Sequence, residues 1–125
     1  MRIEALADAD SVARAGAAFT AAEARAAVAA RGRFIVAISG GHTPWKMPWA
    51  LAEEQVPWAG VHVVQVDERV VPAGDPDRNL THLQENLLAR CPLRPEQLHA
   101  MRPTVASDLV QRFLVAAAKE LLGGV

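Results

Sequence analysis

The sequence predicts an α/β fold, a mostly parallel sheet flanked by helices, and three observations carry that expectation. Phe34-Ile35-Val36-Ala37-Ile38 and Val61-His62-Val63-Val64-Gln65-Val66 are apolar, β-branched runs. The first has no alternation at all, as expected of strands covered on both faces of a parallel sheet. A helical pattern separates the two runs, which makes them a strand–helix–strand unit with parallel strands. Further helical patterns precede and follow them.

In chain order, Arg2 to Leu6 is expected as a short edge strand. Asp8 or Asp10 caps a long alanine-rich helix reaching about Ala30, with Gly32 just past its end. Its packing face is read as Val12, Phe19 and Ala26, with alanines between them that let the helix lie close to a sheet. The strand 34–38 stops at Ser39-Gly40-Gly41-His42. Thr43 then serves as N-cap and Pro44 as the first position of a helix running to about Glu54. Pro48 falls where an intrahelical N–H is needed, so a kink or a tightened first turn is expected. Trp45, Trp49 and Leu51 read as packing residues. Pro57 and Gly60 bound a loop ahead of the second strand.

Residues 70–79 hold too many breakers for regular structure. Leu80, Leu83, Leu87 and Leu88 mark an amphipathic helix capped by Asp77 or Asn79. Pro92 and Pro95 form a connector, and Leu98 to Met101 is a third short strand. Ser107 or Asp108 caps a last helix with Val110, Phe113, Leu114, Ala117 and Leu121 on one face, ended by Gly123 and Gly124. In an alternating fold such an ending precedes another strand. The sheet is therefore expected to be incomplete at its C-terminal end, with an open edge that invites a second copy or a partner.

At 125 residues the chain reads as one domain, 1–125, able to bury roughly two-thirds of its unfolded surface. The net charge of −1, with both signs interspersed, leaves no footprint for a polyanion, so nucleic acid is not an expected partner. The single Cys91 precludes an intrachain disulfide and fits a reducing compartment. No apolar leader follows Met1 and no apolar run reaches about 18 residues, so the expectation is a cytoplasmic chain without a membrane span.

The residues placed for chemistry lie at two strand ends. A strand feeding a glycine turn and then a helix start presents unpaired N–H groups at the positive end of a helix dipole, a site suited to an anion such as phosphate. Ser39, Gly40, Gly41, His42 and Thr43 form that turn. Asp67-Glu68-Arg69 follows the second strand, where ligands of parallel sheets bind, and Arg69 offers a fork suited to carboxylate or phosphate. Asp75, Asp77 and Asn79 alternate like the start of a calcium loop, but Leu80 and Asn86 occupy its sixth and twelfth positions, so that reading fails. The histidines show no metal-ligand spacing. Neither a Walker lysine nor G-x-G-x-x-G is present, and no metal or cofactor is expected.

Ser39-Gly40-Gly41-His42-Thr43-Pro44, Trp58, Asp67-Glu68-Arg69-Val70-Val71-Pro72 and Asp77-Arg78-Asn79 before a leucine-rich helix together resemble the 6-phosphogluconolactonases. These are relatives of glucosamine-6-phosphate deaminase, which shares the first motif but usually lacks this Arg and Val-Pro. The resemblance implies a Rossmann-like fold that hydrolyses 6-phospho-glucono-1,5-lactone in the pentose phosphate pathway without a metal. It implies that Ser39, Gly40, Gly41 and Thr43 line the phosphosugar pocket, with His42 in the same turn. Asp67 and Arg69 would face the substrate, with Glu68 between them counted among the substrate-binding residues, and Asn79 would help hold the loop. Arg78 replaces the family's usual Ser, and Pro48 is unusual in its helix. The family's G-x-D-G-H-type motif, with the His taken as catalytic base, is not in this sequence, so the catalytic residue is unassigned and the chain resembles an N-terminal half. Two other readings remain: a non-catalytic phosphosugar-binding or self-associating fragment, and a sugar-phosphate isomerase or deaminase relative.

Overall fold

A computed structural model describes residues 1–40, 45–102 and 115–122. The long helix α1 spans Ala9–Arg31. Asp8 caps it by accepting the Ser11 N–H at 2.6 Å, and Gly32 ends it in a left-handed conformation at φ 77°. Strand β1 is Phe34–Ile38, helix α2 is Lys46–Ala52, and strand β2 is Val61–Gln65 after a single 3₁₀ turn at Trp58–Gly60. Helix α3, Asn79–Leu83, runs into one π-helical turn at Gln84–Leu88. Strand β3 is only Leu98–His99, preceded by a 3₁₀ turn at Pro95–Gln97. Residues 115–121 are helical.

Among the described residues the sheet has the order β1-β2-β3, parallel throughout, with Phe34 opposite Val61 and Val64 opposite His99. Val63 and Val64, neighbours with opposite facings, are both buried, so the sheet is covered on both sides. Ile38, Val61 and Val63 pack on Leu83 and Leu87 on one face; Val64 packs with Ala117 and Leu121 on the other. Val56 and Trp58 join the first of these layers to the α1–α2 seam, where Ala17 and Ala21 meet Leu51.

Several expectations change. Residues 2–6 form no strand. Val12 and Phe19 are 54% and 69% exposed and Ala26 is exposed too; the buried face of α1 is Ala13, Ala17, Ala21, Ala24 and Ala27. Small side chains win this face because they let α1 and α2 approach closely, as the 3.3 Å from a Cβ placed on Gly16 to Met47 Cγ indicates. Pro48 needs no kink: α2 begins at Lys46, so Pro48 lies in the first turn, where no intrahelical partner exists for its missing N–H. Neither Asp77 nor Asn79 caps α3, whose N-cap position is Arg78 without a side-chain cap of its own. The third strand stops at His99, short of Met101. Thr43 and Pro44 as helix start, Ser107 or Asp108 as cap, Val110, Phe113 and Leu114 as packing residues, and the Gly123-Gly124 stop lie outside the described residues. No described helix is long and apolar enough to cross a membrane.

Candidate functional site

Both strand tips end side by side. The parallel pairing is prolonged one step by the Val66 N–H donating to the Ile38 carbonyl at 3.0 Å. Beyond it the Gly40 N–H donates to Asp67 Oδ1 at 3.3 Å, bringing Gly40 against the acidic corner. Asn79 closes the arrangement from α3. Its buried carboxamide donates to Asp67 O and Oδ1, both at 3.3 Å, and lies directly on Gly40. A Cβ at Gly40 would overlap that carboxamide. This glycine is therefore needed for space beside another side chain.

Glu68 behaves unlike its neighbours. Asp67 and Arg69 are exposed, but the Glu68 side chain is only 1% exposed and turns into the protein. Oε1 accepts the N–H groups of Arg69 and Asn79, each at 2.7 Å. Oε2 accepts the Leu80 N–H at 2.9 Å and the Gln65 amide at 3.0 Å, with Arg78 Nε 3.6 Å away. It thus supplies from eleven and twelve residues away the cap that α3 lacks locally. Burial on its own would raise the Glu68 pKa; the hydrogen bonds from Gln65 and from the N–H groups of Arg69, Leu80 and Asn79 outweigh it and hold the carboxyl below its usual range. The expectation that Glu68 faces a ligand is corrected accordingly. Arg78, the unusual residue before Asn79, is spent on this buried carboxylate.

Beside the strand tips lies a hollow of about 450 Å³ lined by Arg69, Val71, Pro76, Asn79, Trp45 and His82. A narrower cleft runs from it to Ser39 and Gly40, with Gln65 at its floor. Ser39 is exposed at its mouth, its hydroxyl 3.3 Å from the Gly40 carbonyl. Gly41, His42 and Thr43 lie outside the described residues. Among the described residues no group of three or more His, Cys, Asp or Glu side chains could hold a metal ion. An exposed guanidinium at the hollow, with the Asp67 carboxylate and the Ser39 hydroxyl at the neighbouring strand ends, can take an anion and the hydroxyls of a polar ligand.

Gln65 and His82 were not assigned to this region from sequence, and Trp45 was read there as a packing residue. Gln65 was legible: it stands on the same strand face as buried Val61 and Val63, and a polar residue there needs partners. It finds them in Glu68 and in the Met101 N–H, which donates to Gln65 Oε1 at 2.8 Å. Trp45 and His82 stack with ring centroids 3.6 Å apart and 19° between planes, and His82 Nε2 contacts the Pro76 carbonyl. That pairing joins residues far apart in the chain and leaves no local signal. Cys91 is half-buried and its thiol is pushed up by burial, in keeping with an unreactive packing residue.

The fold is that of an α/β protein with a crevice at the carboxyl ends of a parallel sheet, the position where ligands of open parallel sheets bind. The family described as glucosamine-6-phosphate isomerases/6-phosphogluconolactonase matches residues 7–122, and the chain belongs to it. A 6-phosphogluconolactonase from Nostoc sp. is 37% identical over 82 residues, covering 66% of this chain and 34% of the relative. A solved 6-phosphogluconolactonase from Shewanella baltica superposes with TM-score 0.66 at 26% identity, covering 93% of this chain and 48% of that one. The Trypanosoma cruzi 6-phosphogluconolactonase shares the fold with TM-score 0.78 at 19% identity, over 98% and 51% of the two chains. The chain spans about a third of the length of the curated relatives it matches.

Proposed function

We propose that this chain carries the phosphosugar pocket of a 6-phosphogluconolactonase, the hydrolase that opens 6-phospho-glucono-1,5-lactone to 6-phosphogluconate. The observation that carries the reading is the Gly40 N–H bonded to Asp67 while Asn79 grips the same carboxylate, which draws residues of separate motifs together at the strand tips. Arg69 takes the phosphate, being a planar, permanently charged donor beside that hollow. Asp67 and Ser39 take hydroxyls of the sugar, and Gly41, His42 and Thr43 are assigned to the same pocket by family resemblance. The exposed Asp67 and Arg69, and not Glu68, are the residues of the triplet that reach the ligand. Among the described residues β1 and β3 are the edge strands, and self-association is assigned to an open edge of this sheet.

The test combines binding and turnover on the 125-residue chain. Calorimetric titration should show 6-phosphogluconate bound, with affinity reduced roughly tenfold or more in Arg69→Ala, the size expected for charge-assisted hydrogen bonds. Unchanged affinity would remove Arg69 from the pocket. Tight binding of glucosamine-6-phosphate with none of the gluconate would move the chain to the deaminase branch. Binding without hydrolysis of the lactone would make it a phosphosugar-binding fragment.

A further inference from the structure

We infer that Glu68 is the positioning residue of the pocket: its buried carboxylate sets Arg69 and Asn79, and through Asn79 also Asp67, in register with one another. The inference rests on the reading of the strand-tip hollow as a phosphosugar site and names what holds that site in shape.

The contacts define the role. One carboxylate oxygen accepts from the backbone N–H of Arg69, the residue assigned to the phosphate, and from that of Asn79, whose side chain holds Asp67. The other accepts from Leu80 and from Gln65, so the same group ties the start of α3 to the end of β2. The intervening loop of residues 70–78 is exposed over most of its length, and its own bonds are local, such as Asp75 N–H to Pro72 O and Asp77 N–H to Asp75 Oδ1. Such bonds fix turns but not the distance between the loop's two ends. Glu68 fixes that distance because it holds both ends at once. Gln65 extends the control to the segment after β3 through its bond from the Met101 N–H. Arg78 completes the arrangement, its guanidinium sharing the buried site and balancing the charge.

The negative charge matters as well as the shape. Four donors converge on two oxygens, a number that a carboxylate accepts and a carboxamide cannot, because one oxygen is replaced by a donor NH₂. Glu68→Gln therefore sets two donors against each other at Leu80 or at Asn79, with almost no change in volume.

The experiment uses the full chain in wild-type, Glu68→Gln, Arg69→Ala and doubly substituted forms. In Glu68→Gln, amide exchange at Arg69, Asn79 and Leu80, read by NMR well below the unfolding temperature, is expected to quicken at least tenfold. The affinity for 6-phosphogluconate is expected to fall at least tenfold. A smaller fold-loss is expected when Glu68→Gln is added to Arg69→Ala than when it is made in wild type, since the share that acts through Arg69 is already gone and only the share through Asn79 and Asp67 remains. A lowered melting temperature with unchanged affinity, or the same fold-loss in both backgrounds, overturns the inference in favour of a merely structural acid. Should wild type bind no sugar phosphate, the pocket reading fails separately, and unchanged exchange at the three amides would still overturn the positioning role. If Glu68→Gln does not fold, Glu68→Asp, one methylene too short to span both loop ends, is read by the same measurements; wild-type values there overturn the inference.

Discussion

Gly40 shows how little room the strand-tip region leaves at single atoms. Its backbone is not in the left-handed region, unlike Gly32 and Gly74, so conformational freedom is not what it provides. Its missing Cβ is occupied by the Asn79 carboxamide, itself anchored on Asp67. Gly40→Ala should therefore cost about 1–3 kcal/mol, as overpacking does in a tight interior, and should weaken 6-phosphogluconate binding; denaturant melts and calorimetry check both. At Glu68 the carboxyl is held below its ordinary value of 4.5 by hydrogen bonds that exceed the effect of burial. A carboxylate depressed in the fold contributes stability above the unfolded pKa and loses it as pH falls through the folded one. Stability should thus decline as pH drops below about 4.5, and Glu68→Gln should flatten that decline in acid titrations followed by circular dichroism. Asp67 and Arg69 were legible as exposed chemistry because they follow an apolar strand directly. Glu68 was misassigned because adjacent charges look alike in sequence, and only the arrival of α3 at its side chain separates it from them.

The elements divide in the same manner between what is local and what is not. Strand β1, an aspartate cap at Asp8 or Asp10, which the structure resolves as Asp8, and the Gly32 stop were legible because a run of β-branched residues, an Asx cap and a left-handed glycine act within a few residues. The inward face of α1 was not. Val12 and Phe19 carry more hydrophobic surface than any alanine, yet contact with α2 selects the residues that let two backbones approach. Ala21→Leu should accordingly lose about 1–3 kcal/mol by overpacking, and Phe19→Ser should stay within about 0.5 kcal/mol of wild type, both measured by chemical denaturation. At the other side of the sheet His62 Nδ1 lies 3.2 Å from His99 Nε2, so the pair links β2 to the two-residue β3. The His62 pKa is lowered first by burial, then by the positive fields of His99, Arg33 and Arg94, with Glu120 opposing them. A base lowered in the fold favours the folded state at high pH: the unfolded chain takes up the proton first as pH falls below about 6.5. Stability should decrease from there downward, and His62→Gln should remove part of that decrease, as denaturant melts at pH 7.5 and 5.5 would show.

For the whole molecule, the parallel sheet with helices over both faces was readable from the two apolar runs and the helical spacing between them. The family was readable from three motifs in order, and the match over residues 7–122 agrees. What the sequence could not display is the bridge between motifs: Asn79 reaching Gly40 and Asp67, Gln65 reaching Glu68 and Met101, Trp45 reaching His82. Each of these contacts depends on how β1, β2 and α3 converge, which is a property of the assembled sheet and not of any window of residues. The convergence sets residues of three short motifs side by side at the strand tips, and the functional reading stands on it.

That convergence is tested most directly by titrating 6-phosphogluconate into the isotopically labelled chain and following backbone amide shifts. The expected result is a common saturation curve for Gly40, Asp67, Arg69 and Asn79, with residues of the α1–α2 seam unmoved. Shifts confined to one of the two strand tips, or centred away from both, would contradict the account.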